Sequence, residues 1–199
     1  MTDRDDRTLA FYAKHAAAYA GRSQLPVSAE LVHFLSLLPQ KGKILELGCG
    51  AGRDSEAMLS RGFDVMPTDG TPELARLAEK RLGIPVGILL FKDLDVQETY
   101  HGIWANACLL HLPRTALSGV LDRIFTALMP GGVFYASFKA GLGEGRDGLG
   151  RYYNYPSADW LHAACRPVRW QQRDVWTTSG SGYDNVTTDW LHLLAVKPS

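Results

Sequence analysis

The 199-residue chain has little cysteine, no excess of either charge and no long apolar run. Its three cysteines, Cys49, Cys108 and Cys165, lie far apart and show no metal-ligand spacing. An odd and sparse set fits reduced thiols better than a disulfide framework. Lys plus Arg number 21 and Asp plus Glu 21, so the formal net charge is zero. A protein that lives on phosphate-backbone contacts is basic on at least one face, so the balance argues against a nucleic-acid partner. No stretch approaches the roughly 20 apolar residues that span a bilayer. The opening MTDRDDRT carries charges of both signs and lacks the apolar core of a signal peptide. These absences lead us to expect a cytoplasmic protein with no membrane partner and no metal. Two nucleotide motifs are missing as well. There is no Gly-Lys-Ser/Thr phosphate loop, and the place of the third dinucleotide-loop glycine is taken by Arg53.

What is present is ordinary globular composition, 46% hydrophobic and 21% charged, at a length that suits one domain. A helix is expected over about Asp5 to Gly21, with Phe11, Tyr12, His15 and Tyr19 on or near one face. A second, SAELVHFLSLL, has Ser28 as N-cap and Pro39 just past its end. Short strands and helices then alternate. KILEL, FDVMPTD, VGILLF, GIWANACLL and GGVFYASFK read as strands, and RDSEAMLSR, PELARLAEKRL and PRTALSGVLDRIFTALM as helices. That alternation predicts an α/β fold, a parallel sheet with helices on both faces. No helix separates VRWQQRDVWTT from NVTTDWLHLLAVK. The turn-like SGSGYDN between them predicts an antiparallel C-terminal hairpin.

Three features mark a ligand site. Gly48, Gly50 and Gly52 alternate where the first strand meets its helix, so a ligand can approach the backbone. Glu46 interrupts an apolar strand, and a carboxylate there is costly unless a cationic group answers it. Asp69 ends the second strand, where an acid suits the two hydroxyls of a ribose or simply caps a surface turn. Arg53 opposes the helix dipole; it either points to solvent or meets a ligand carboxylate.

With these segments in hand, the chain resembles the class I S-adenosylmethionine-dependent methyltransferases. LELGCGAGR is similar to their first motif, PTDGTPEL to their second-strand acid, and LMPGGVFYASF to the turn before their fifth strand. FKDLD and IWANACLLHLP look like the segments around their third and fourth strands, and the likeness runs from about Phe11 to the C-terminus. It implies a Rossmann-like, mostly parallel seven-stranded sheet with N-terminal lid helices. Residues 1–40 would cover the cofactor site, 41–139 form the cofactor-binding core, and 140–199 supply a substrate loop and the hairpin.

The same resemblance implies S-adenosylmethionine as cofactor, with S-adenosylhomocysteine as product. The loop from Gly48 through Cys49 and Gly50 to Gly52, with Glu46 and Arg53, would lie against its methionyl and ribose parts. Asp69 would take the ribose hydroxyls, and Gly70 and Thr71 would pass beneath the adenine. Asp93 and Leu94 would meet the adenine edge, with Asp95 competing for the register. Asn106 and Ala107 would border the methionine. Tyr12, Tyr19 and Arg22 are the lid candidates, since an aromatic face attracts a sulfonium; plain helix packing also accounts for the tyrosines.

His111, after the fourth strand, is the candidate general base, with loop packing as the alternative. Five glycines between Lys139 and Arg151 imply a mobile loop. Lys139, Arg146, Arg151, Tyr152 and Tyr153 around it are candidates to bind a small polar or acidic acceptor. The expectation is direct methyl transfer to a small molecule by a monomer or homodimer. Tellurite-resistance-type and metabolite-modifying enzymes are among the similar small family members. An RNA or protein methyltransferase, a non-enzymatic S-adenosylmethionine binder and, for the glycine loop, an NAD-dependent oxidoreductase stand as competing readings.

Overall fold

The computed structural model describes residues 4–21, 26–183 and 186–199. Two helices, α1 (Asp6–Ala20) and α2 (Ala29–Ser36), precede the sheet. Asp5 caps α1 through the Thr8 N–H at 2.7 Å, and Ser28 caps α2 through the Leu31 N–H at 3.1 Å. There follow β1 (Lys43–Leu47), α3 (Arg53–Leu59), β2 (Asp64–Asp69), α4 (Pro72–Leu82), β3 (Gly87–Ile88) and β4 (Tyr100–Ala105). Then come α5 (Arg114–Ala127), β5 (Leu128–Lys139), β6 (Gly145–Arg146), β7 (Tyr152–Tyr153), α6 (Ala158–Ala164), β8 (Gln172–Ser181) and β9 (Thr187–Val196). The main sheet runs β3-β2-β1-β4-β5-β9-β8. Its first five strands are parallel, and β9 and β8 are antiparallel additions beyond β5. The parallel strands and the antiparallel hairpin are those expected from the alternation, and the seven-stranded, mostly parallel sheet is the Rossmann-like one that the resemblance implies.

Strand side chains alternate between faces, and here the alternation sorts the core into two layers. Leu45 and Leu47, Ile103 and Ala105, and Phe134, Ala136 and Phe138 pack with the Leu117–Leu121–Ile124 stripe of α5. Ile44, Trp104, Val133, Tyr135 and Leu194 pack on the other face with Leu31 and Phe34 of α2 and Met58 of α3. By the same two-residue period, Glu46, Ser137, Lys139, Trp190 and His192 stand on the α2/α3 face, toward the carboxyl edge of the parallel strands. Ligands of such sheets gather at that edge.

Three expectations need correction. VGILLF is a strand only at Gly87–Ile88; Leu89 onward leaves the sheet, and Phe91–Asp93 is a 3-10 turn. GIWANACLL stops being strand at Ala105, because Ala107 turns with a φ of +52° and Leu109–His111 form another 3-10 turn. The glycine-rich loop contains a small hairpin in which Gly145 pairs with Tyr153 and Arg146 with Tyr152.

Candidate active site

The glycine turn is built by left-handed backbone, with φ of +65° at Gly48, +57° at Gly50 and +79° at Gly52. A Cβ on Gly48 would sit 2.5 Å from the Cys108 Cβ, and one on Gly50 would sit 3.0 Å from the Tyr19 ring. Side chains are therefore excluded there by both torsion and space. The turn is tied to the next strand by Asp69. Its buried carboxylate accepts the Gly50 N–H at 2.9 Å and the Thr71 N–H at 2.7 Å. Loss of water raises the Asp69 pKa, while those two bonds oppose the shift.

Above this turn lies a cavity of about 100 Å³ whose walls include Leu9, Asp69, Gly70, Leu89 and Phe91. A larger chamber of about 520 Å³ adjoins it over the α2/α3 face. The two share Tyr12, Tyr19, Gly48, Asn106, Ala107 and His111, which mark their junction.

Buried polar networks stiffen that junction. Asp54, in the first turn of α3, accepts from Trp104 Nε1 and Asn106 Nδ2, both at 3.0 Å, and pairs with Arg53 at 3.0 Å. Arg53 is thus held by its neighbour rather than by solvent alone. Asn106 Oδ1 accepts from Ser137 Oγ at 2.6 Å, and Ser137 Oγ in turn accepts the Ala107 N–H at 2.8 Å. Glu46 accepts a hydrogen bond from Ser55. Burial first, and then the Asp54 charge, push the Glu46 pKa up to about 8. Among the described residues, Glu46 makes no ion pair.

His111 is engaged at both ring nitrogens. Nδ1 lies 2.6 Å from the Tyr152 carbonyl, which can only accept, so Nδ1 carries the proton. Nε2, at 3.0 Å, then accepts from the Tyr12 hydroxyl. Desolvation pulls the His111 pKa down to about 4. The sequence-level candidate for a general base therefore anchors Tyr12 and has no lone pair directed at a substrate. The Tyr12 oxygen also accepts from Arg151 Nη1 at 3.1 Å.

The other candidates divide. Tyr12, Tyr19, Gly48, Gly50, Asp69, Gly70, Thr71, Asn106 and Ala107 line the smaller cavity, and Glu46, Cys49 and Arg53 line the chamber. Gly52 supports the turn from below, against Leu82 and Ala78. Asp93 is exposed and Leu94 is buried in the core, and neither lines the smaller cavity or the chamber; Leu89, Leu90 and Phe91 line that wall of the smaller cavity. Arg22 lies outside the described residues. Lys139, Arg151 and Tyr153 line the chamber, whereas Arg146 and Tyr152 line neither space and bind Asp5 and Glu144. Sequence reasoning missed Asp54, Tyr135, Ser137, Trp190 and His192. For Tyr135, Ser137, Trp190 and His192 the period-two alternation within β5 and β9 signals a common face; nothing local singles out Asp54, in the first turn of α3.

The β6–β7 hairpin fastens α1 over the junction. Arg146 grips both Asp5 oxygens, at 3.0 and 2.6 Å, and the Tyr152 N–H donates to Thr8 Oγ1 at 2.9 Å. The Arg146 hydrogen bond holds the Asp5 pKa down at about 2. A depressed carboxyl pKa contributes stability above its ordinary value near 4, and that contribution is lost as pH falls toward 2. The clasp is therefore intact at neutral pH. Arg146→Ala should speed amide hydrogen exchange across α1 and leave β1 and β4 protected. Equal exchange in variant and parent would show that the clasp does not hold the helix.

Comparison with known proteins agrees with this layout. The family model described as a methyltransferase domain matches residues 44–132, from β1 into β5. The chain is 28% identical over 168 residues to trans-aconitate 2-methyltransferase of Methylobacterium nodulans, covering 79% of this chain and 64% of that protein. It thus spans less than two thirds of that relative's length. A Methanosarcina mazei SAM-dependent methyltransferase superposes with a TM-score of 0.75 at 18% identity, over 87% of this chain and 99% of that one. The Burkholderia thailandensis 1,6-didemethyltoxoflavin-N1-methyltransferase, solved with its acceptor and S-adenosylhomocysteine, gives 0.71 at 23% identity, over 96% and 88%. At these identities the structures speak for the fold alone.

Proposed function

We propose that the chain is a class I, S-adenosylmethionine-dependent methyltransferase, in keeping with the methyltransferase-domain match over residues 44–132, and that it methylates a small-molecule acceptor. The observation that carries the proposal is the Asp69 carboxylate, fixed by two N–H groups at a cavity floored by a side-chain-free turn. Such an acid suits paired ribose hydroxyls. Glu46 adds a buried carboxyl whose ionised form calls for a cation. Asp69, Gly48, Gly50 and Glu46 would hold S-adenosylmethionine, with Tyr12 and Tyr19 of α1 above it. S-adenosylmethionine supplies an already activated methyl group. The protein's share is alignment and the exclusion of water.

The chamber supports an enzyme over a non-enzymatic binder, because it gives an acceptor room beside the junction. Its size and the absence of net positive charge favour a small molecule over RNA. The acceptors named for the relatives, trans-aconitate and 1,6-didemethyltoxoflavin, are both small molecules. Incubation with methyl-labelled S-adenosylmethionine and a fractionated metabolite extract tests this. Label should enter a low-molecular-mass product with an equal yield of S-adenosylhomocysteine. Label entering RNA or protein alone would sink the small-molecule reading.

Glu46 gives a second expectation. Its raised pKa keeps it protonated at neutral pH, so its share of stability falls as pH rises from about 4.5 to about 8. A cationic ammonium favours the carboxylate, so cofactor binding below pH 8 should release close to one proton and tighten as pH rises. Calorimetry in buffers of different ionisation enthalpy reads that proton directly. Glu46→Gln should abolish the release; unchanged release in the variant would move the proton to another group.

A further inference from the structure

Arg151 lies at the hairpin end of the chamber and is 1% exposed. An arginine has five N–H donors. Its Nε–H and one Nη2–H bind Asp147 at 2.9 and 2.7 Å, and one Nη1–H binds Tyr12. Among the described residues, one N–H on each terminal nitrogen has no oxygen or nitrogen acceptor, and the centres of the Phe11, Tyr12, Tyr153 and Tyr183 rings lie 5.2–5.8 Å from the guanidinium carbon. Asp147 offsets part of the charge, but a buried guanidinium with unmet donors is costly. Lys139, 5% exposed, lines the same chamber at the tip of β5, with its ammonium 5.2 Å from the Tyr153 ring centre. Glu46 and Asp54 lie at the other end, two strands along the sheet on β1 and at the start of α3. The chamber is therefore uneven in charge: toward the glycine turn Arg53 is paired with Asp54 beside the Glu46 carboxyl, and toward the hairpin lie the cations Arg151 and Lys139.

The chamber also has few free bases. His111 is engaged at both nitrogens, and so is His192, which bonds the Tyr135 and Thr178 hydroxyls, each at 2.7 Å. Asp54 accepts from three donors, and Glu46 is bonded by Ser55. Among the described lining residues, the half-buried Glu30 at the start of α2 is the remaining carboxylate.

We propose that the acceptor is a carboxylate-bearing small molecule, held by its charge at the Arg151–Lys139 end and methylated in its ionised form. This rests on the methyltransferase reading above. A carboxylate oxygen forms the O–CH₃ bond as the C–S bond breaks with its electron pair going to sulfur. The negative and positive charges cancel, an ester and a neutral thioether result, and no proton moves. Charge cancellation is favoured in a chamber shielded from water, and no general base is needed.

The test is calorimetric titration of the protein, saturated with S-adenosylhomocysteine, with benzoate, fumarate and trans-aconitate, and with the methyl esters of each. At least one carboxylate should bind more tightly than about 1 mM, with its ester about tenfold weaker, equivalent to ~1.4 kcal/mol. Lys139→Gln and Arg151→Gln should each weaken that carboxylate by about tenfold or more. Retained S-adenosylhomocysteine affinity shows that the variants are folded. Failure of all three carboxylates, or esters binding equally well, would overturn the proposal while leaving the cofactor reading in place. Failure of S-adenosylhomocysteine itself to bind would overturn the methyltransferase reading, and this proposal with it.

Discussion

Asp69→Ala should weaken S-adenosylmethionine binding on the order of 100-fold, about 3 kcal/mol. Two losses combine in one substitution. On the proposed binding mode the ribose hydroxyls would lose a charged acceptor, and hydrogen bonds to charged groups are the strong ones. The Gly50 and Thr71 N–H groups lose theirs as well, at 2.9 and 2.7 Å. Those groups belong to the two loops that form the cavity floor, so the floor loosens when its shared acceptor goes. Asp69→Asn should retain part of the affinity, because an amide oxygen still accepts. Calorimetry on both variants checks the ranking. An alanine variant within about fivefold of the parent, under ~1 kcal/mol, would mean that Asp69 is a turn residue and no ribose ligand.

Gly48→Ala should cost about 3 kcal/mol of stability, combining left-handed strain of roughly 1–2 kcal/mol with an overpacking term of similar size. The new Cβ would lie 2.5 Å from the Cys108 Cβ and 3.2 Å from its sulfur, at a φ of +65°. Neither neighbour yields easily. Cys108 is buried, and its thiol donates to the Leu47 carbonyl at 3.0 Å. For a chain of this size the melting temperature should fall by roughly 6–12 °C. Adding Cys108→Gly removes the opposing Cβ and should return part of the loss. An unchanged melting temperature for the single variant would show that the turn can shift, and the close-packed floor would lose its basis.

The parts of the fold that sequence reasoning reached are those with local causes. KILEL followed by alternating glycines specifies a strand and a turn within a dozen residues. Ser28 and Pro72 announce the starts of α2 and α4, and the missing helix before NVTTDWLHLLAVK announces the hairpin. The remainder depended on distant partners. Leu89 to Phe91 are apolar enough for a strand, but they leave the sheet to wall the cavity opposite Leu9 of α1. The two-residue strands β6 and β7 pair where α1 docks on them, and glycines alone read as mobility. Arg151 stands out in the sequence only as one of several polar candidates around a glycine-rich loop, and its enclosure by Asp147 four residues earlier and by rings from Phe11, Tyr12, Tyr153 and Tyr183 comes from the packed fold. Asp54 reads as an ordinary first-turn acid, favourable with the helix dipole. Only the packed sheet brings Trp104 and Asn106 onto it. His111 was found by position, but its two bonds, and hence its role as an anchor for Tyr12, come from α1 and β7.

Calorimetric titration of the protein with S-adenosylmethionine, beside NAD and the Asp69→Ala variant, tests the central claim most directly. Micromolar binding of S-adenosylmethionine that the variant loses, with no heat from NAD, is the predicted result. Binding of NAD in its place, or no binding of S-adenosylmethionine, would contradict the assignment of the glycine turn and the cavity above it.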